Sequence, residues 1–107
     1  SFKYIAKADM FVCSSRREGF STAVTEALLL GIPVVSTNCS GAYELLGRNN
    51  EYGIVTENSE EGIYEGMKRL LSDKLLLAYY YDQAKIRALK FSKTETIKAV
   101  ENMFNSL

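Results

Sequence analysis

The chain has 107 residues, 47% hydrophobic and 24% charged, with thirteen basic residues matched by thirteen acidic ones. That is room for one domain with a modest core, and the even charge balance excludes both a nucleic-acid binder resting on a basic face and an acidic disordered tail. Histidine is absent, which excludes Ser-His-Asp and Cys-His nucleophile systems and any histidine-containing metal site within this chain.

No apolar run is long enough to span a membrane, and the opening residues SFKYIAKADM carry no signal-peptide core. Cys13 and Cys39 are too few for a disulfide-stapled scaffold and read as small buried hydrophobes in a reducing cytoplasm. There is no Asp-x-Asp pair, so no metal is expected. The expected location is cytoplasmic.

Two segments read as buried strands, MFVCS at 10–14 and PVVST at 33–37. Both are short and apolar without alternation, as in a parallel sheet covered on both faces. Between them TAVTEALLL predicts a helix that begins near Ser21 and stops at Gly31, with Pro33 just beyond. A short helix over 42–46 follows, and then a third strand, YGIVT at 52–56, after the turn-rich GRNNE. Asn58 with Glu61 reads as a capping box that opens a helix to about Leu71, with Ile63, Met67, Leu70 and Leu71 on its apolar face. The next helix, about 74–90, places Leu75, Tyr79 and Ile86 on one side. Ser92 with Glu95 is a second capping box, and Ile97, Val100, Phe104 and Leu107 follow it at helical spacing.

The order β-α-β-α-β-α-α-α is half of a doubly wound sheet. It matches strands 4, 5 and 6 of the 3-2-1-4-5-6 arrangement. The expected fold is therefore α/β: a three-layer Rossmann-like half domain with three parallel strands, flanking helices and a helical C-terminus. The chain begins only a few residues before its first strand, so a fragment of a larger domain is expected. In that arrangement strand 10–14 lacks a neighbour. An apolar sheet edge invites another chain, so the isolated fragment is expected to dimerise there.

The segment SSRREGFSTAVTEALLLGIPVVST carries the chemistry. Ser14 and Ser15 fall at the carboxyl end of the first strand, where open α/β sheets bind ligands. Arg16, Arg17, Glu18 and Gly19 lead into a helix whose free N–H groups and positive dipole end would seat phosphate. Glu26 is the anomaly, because it is the one charged residue from Thr22 to Leu30. A helix apolar nearly all round is buried, and a buried carboxylate is costly unless hydrogen-bonded or paired. Side chains lean toward a helix's N-terminus, so Glu26 can reach the crevice mouth, which Glu18 approaches from the loop. By residue chemistry alone, a structural Glu26 and a solvated Glu18 are equally open readings.

EGFSTAVTE, from Glu18 to Glu26, has the Glu-x7-Glu spacing of retaining nucleotide-sugar glycosyltransferases of the two-domain GT-B fold, and the chain resembles the group 1, family 4-like branch of these enzymes. ADMFVCSSRREGF before it, and EALLLGIPVVST, Ser40-Gly41 with Glu44, and YGIVTENSEE after it, extend the likeness from about Ala8 to Leu71. The departure is Ser21, where the family often has glycine.

The resemblance implies the C-terminal part of a donor-nucleotide domain, whose parent enzyme moves a sugar from a nucleotide diphosphate to an acceptor with retention. Glu26 would accept hydrogen bonds from the ribose hydroxyls, and Glu18 would lie near the transferred sugar as the catalytic residue. Backbone N–H groups of Gly19, Phe20, Ser21 and Thr22 would meet the diphosphate or sugar. Phe20 reads equally as a donor contact or a core anchor. The nucleotide sugar is a substrate, so no cofactor and no metal are implied. The acceptor domain and the upstream basic diphosphate ligands would lie outside this chain, leaving the fragment inactive alone. The implied acceptor is a glycan or glycolipid, which allows the parent enzyme at the cytoplasmic face of a membrane. Two other readings stay open: a non-catalytic nucleotide-binding or interaction module, and a nucleotide-sugar epimerase of the same architecture.

Overall fold

The computed structural model describes residues 10–13 and 19–105. Three short apolar segments form strands β1 (Phe11–Cys13), β2 (Val34–Thr37) and β3 (Ile54–Thr56). They lie in the order β1-β2-β3 in one parallel sheet. Phe11 pairs with Val34, and Val35 with Ile54. The parallel, sequential arrangement expected from the β-α-β spacing is present, and all four residues of β2 are buried, as befits the middle strand. Helices α1 (Phe20–Leu29) and α2 (Ala42–Leu46) are the two crossovers, and α3 (Glu60–Ser72), α4 (Lys74–Ala88) and α5 (Lys93–Asn105) follow β3. Among the described residues no helix is long and apolar enough to cross a membrane.

The core divides by sheet face. On one side Phe11, Cys13 and Val34 pack with Val24, Leu28, Leu45 and Leu46 of α1 and α2. On the other, Val12, Val35 and Ile54 pack with Leu70 of α3 and Tyr80 of α4. Cys13 and Cys39 are both buried, as small hydrophobes would be. Alternation along a strand sends neighbouring valines to opposite faces, which is why each β-branched run feeds two layers.

Helix ends follow local chemistry. At the end of α1, Gly31 adopts φ 73°. Its N–H donates to the carbonyl of Leu28 (3.0 Å), and that of Ile32 donates to Ala27 (2.9 Å). This is the paired closure of a helix that only a left-handed residue completes. At the start of α5 the expected box is reciprocal: Ser92 N–H donates to Glu95 Oε1 (2.8 Å), and Glu95 N–H donates to Ser92 Oγ (3.1 Å).

Three expectations are corrected. The cap of α3 is Ser59, whose Oγ accepts from Gly62 N–H at 3.0 Å, one residue later than the Asn58 box. Ser59 has the extended backbone (φ −153°) that a capping residue needs. Within α3, Leu71 is 63% exposed while Leu70 is buried.

The apolar faces expected for the last two helices also point outward. Leu75 is 84% exposed, and Tyr79, Ile86, Ile97, Val100 and Phe104 are exposed as well. The docking faces are instead Tyr80 and Ala84 on α4 and Ala99 on α5. Leu107, also assigned to that face, lies outside the described residues. Small residues let α4 and α5 approach α1 closely. Leu76 and Leu77 of α4 are half-buried against the same core as Tyr80, and polar groups add to that face: Tyr80 Oη donates to the carbonyl of Asn50 (2.7 Å), and Gln83 Nε2 to that of Glu51 (3.0 Å). Arg87 Nε donates to the carbonyl of Leu45 at 2.8 Å, satisfying the end of α2.

Candidate functional site

All three crossover or exit helices start at the carboxyl edge of the sheet, and their N-termini differ in one respect. The first turn of α3 is closed by Ser59 and carries Glu60 and Glu61, and that of α2 carries Glu44. The first turn of α1 has no side-chain cap and no acidic residue. Among the described residues its partial positive charge and its free N–H groups therefore meet no side-chain partner, as an anion-binding helix start requires. Gly19 makes this possible by opening the helix at φ 84°.

A second left-handed glycine, Gly41 at φ 91°, opens α2 beside it. A Cβ placed on Gly41 would come within 3.7 Å of the Phe20 ring and 3.8 Å of Ser21 Oγ. The openings of α1 and α2 are thus neighbours at one edge.

The residues expected at this site are placed as follows. Gly19 and Ser21 are exposed and Thr22 is half-buried, so the first turn of α1 faces outward. Phe20 is 5% exposed within the core cluster of α1 and α2, the anchoring position weighed as one of its two readings. Glu18, with Ser14, Ser15, Arg16 and Arg17, lies outside the described residues.

Glu26 is 4% exposed, in a helix where Ala23, Val24, Thr25, Ala27 and Leu28 are buried too. It lies about 9 Å along the helix axis from Phe20, at the rise of about 1.5 Å per residue. One of its carboxylate oxygens, Oε2, accepts a hydrogen bond from Asn102 Nδ2 of α5. Burial pushes the Glu26 carboxyl above its ordinary range, and the Asn102 amide pulls it partly back. The carboxylate is thus held against the cost of its own desolvation. Sequence reasoning singled out Glu26 but missed Asn102, which is 76 residues away on another element.

An open groove of about 440 Å³ lies farther along the same edge, lined by Thr37, Ser59, Ile63, Tyr64 and Met67. The Thr37 hydroxyl is buried without a hydrogen-bond partner. None of the residues expected to bind donor lines it. Among the described residues no cluster of three or more acidic or thiol side chains could hold a metal ion.

Three parallel strands in sequential order with flanking helices define an α/β Rossmann-like half domain. The family of group 1 glycosyl transferases matches residues 2–87, and the chain belongs to it. It is 38% identical over 96 residues to the N-acetylgalactosamine-N,N'-diacetylbacillosaminyl-diphospho-undecaprenol 4-alpha-N-acetylgalactosaminyltransferase of Campylobacter jejuni, covering 88% of this chain and 26% of that protein. It is 31% identical over 100 residues to the capsular polysaccharide biosynthesis glycosyltransferase CapM of Staphylococcus aureus, covering 92% of this chain and again 26% of the relative. The chain thus spans about a quarter of the length of these relatives.

Proposed function

We propose that this domain supplies part of the donor site of a glycosyltransferase that moves a sugar from a nucleotide diphosphate to an acceptor with retention of configuration. The observation that carries the reading is the pairing of a first turn of α1 that is uncapped and acid-free among the described residues with the buried Glu26 carboxylate behind it. A nucleoside diphosphate presents a ribose diol and an anion at comparable separation. In this reading Glu26 accepts from the ribose hydroxyls, and the N–H groups from Gly19 to Thr22 take the diphosphate. As the sugar passes through an oxocarbenium-like state, the departing diphosphate gains charge that these fixed dipoles stabilise. Glu18 stands near the sugar. Phe20, from its seat in the core, holds the turn in place.

No metal and no cofactor belong to this reading, because the helix N-terminus answers the developing charge. The acceptor side lies in the rest of a longer enzyme, and the isolated domain is inactive. The relatives' names concern an undecaprenol-linked sugar and a capsular polysaccharide, which supports a glycan or glycolipid acceptor; the reading places the enzyme at the cytoplasmic face of a membrane. Self-association of the isolated chain along the β1 end of the sheet also belongs to the reading, on the strand-order argument, and sedimentation over a concentration series measures it.

The decisive test is Glu26→Gln in the intact enzyme, with nucleoside-diphosphate affinity read by calorimetry. Loss of a charge-assisted hydrogen bond lowers affinity on the order of 10–150-fold. Glu18→Gln is expected to leave that affinity nearly intact while lowering turnover. Wild-type affinity in Glu26→Gln refutes the ribose assignment. Nucleotide release that needs no acceptor refutes transfer and points to an epimerase.

A further inference from the structure

Resting on the donor-site reading above, the geometry points to Asn102 as a positioning residue: its carboxamide holds Oε2 of Glu26, so that Oε1 is the oxygen that would meet the nucleotide ribose. A carboxylate has two oxygens and about four acceptor positions, so one bond from Asn102 fixes its plane without exhausting it. Asn102 is the side chain that donates to Glu26 among the described residues.

The seat of Asn102 is built rather than incidental. The Ser92–Glu95 box fixes where α5 begins. Ala99 is fully buried, so α5 lies close on α1. Asn102 is three residues after Ala99 and shares that face of the helix. The apolar residues Ile97, Val100 and Phe104 are turned outward, the largest of them 69% exposed. The face toward α1 centres on Ala99, with Thr96 and Met103 half-buried beside it, while Asn102 is exposed at the edge of that face. From that edge its carboxamide reaches in to Glu26, where an apolar residue would leave a buried carboxylate without a donor.

Charged residues on the packed elements do not substitute for it. Lys98 and Glu101 of α5 are exposed, and the side chain of Lys85 of α4 lies along Gly31. The direction of the Glu26 shift, raised by burial and lowered by Asn102, agrees with this division.

The test uses Asn102→Ala and Asn102→Gln in the intact protein, with uridine, guanosine and adenosine diphosphates as probes. Titration of the Glu26 carboxyl carbon by NMR should move upward in Asn102→Ala. Affinity for the diphosphate that binds wild type best should fall about 3–10-fold, the scale of one hydrogen bond, with the larger loss at low pH. Asn102→Gln, which keeps the donor, should recover part of both. An unmoved Glu26 titration in Asn102→Ala overturns the inference, as does tighter nucleotide binding, which would make Asn102 an obstruction. If Asn102→Ala moves the titration while Glu26→Gln leaves affinity unchanged, the ribose reading itself has failed and positioning falls with it.

Discussion

Gly66 sits where α3 rests on the sheet, and replacing it by alanine tests how rigid that contact is. A Cβ there would lie 2.8 Å from Thr56 Cγ2, 2.8 Å from Val35 Cγ1 and 3.6 Å from Ile54 Cγ2. Carbon atoms rest at about 3.5–4.0 Å, so two methyl groups must each retreat by about 0.7–1.2 Å. Both belong to β-branched side chains with a stiff χ1, on strands held in parallel register. Val35 is fully buried and has nowhere to turn. The helix must therefore lift. Overpacking of this kind costs about 1–3 kcal/mol, and alanine in place of glycine in a helix interior returns about 1 kcal/mol. The expected net loss is about 0–2 kcal/mol, or a fall in Tm of up to roughly 15 °C for a domain this size. Thermal unfolding followed by far-UV circular dichroism measures it, with Tyr64→Ala, at a position 60% exposed on the same helix, as the near-neutral control. A Gly66→Ala protein stabilised by the full gain of about 1 kcal/mol from helix propensity would show that α3 does not bear on the sheet as described.

Two further outcomes follow from buried polar groups. The folded state holds the Glu26 proton more tightly than the unfolded chain, because burial raises its carboxyl. Its contribution is therefore fully present at low pH and is lost as pH rises through the folded-state value. The stability of Glu26→Gln relative to wild type should accordingly improve from acid to neutral pH in urea unfolding series, and parallel pH profiles would refute the assignment. Arg87→Met keeps the aliphatic stem but removes the donors to the carbonyls of Leu45 (2.8 Å) and Glu44 (3.3 Å). It should cost about 1–3 kcal/mol and speed amide exchange in α2, whereas unchanged protection there would show that α2 stands without it.

What was legible in the sequence was whatever local chemistry decides. The runs around Val12, Val34 and Ile54 are apolar and bounded by turns, so the strands and their parallel order were readable. Gly31 and the Ser92–Glu95 box act within a few residues, and both ends formed where expected. The shift from Asn58 to Ser59 reflects two adjacent residues able to cap, of which only the second is used. The faces of α4 and α5 were not legible, because each is centred on an alanine, Ala84 in one and Ala99 in the other, with Leu76, Leu77 and Met103 only half-buried beside them. Apolar periodicity then points at the wrong side. Likewise Glu26 was visible as a misplaced charge, while its hydrogen-bond donor was hidden by distance along the chain.

The stripe of α4 that holds the 50–51 turn and the end of α2 also sets an order of events during synthesis. Its hydrogen bonds reach back 30 residues from Tyr80, 32 from Gln83, and 42 and 43 from Arg87. At about 5–20 residues per second, a ribosome takes roughly 2–9 s to make that much chain. Throughout that interval α2, only five residues long, has emerged without the guanidinium that satisfies its last carbonyls. A helix that short is not stable alone. The nascent β2–β3 connection therefore waits, unlatched, for a helix not yet translated, and pausing between the codons for Thr56 and Tyr80 lengthens the time in which it can be captured by a chaperone or a protease.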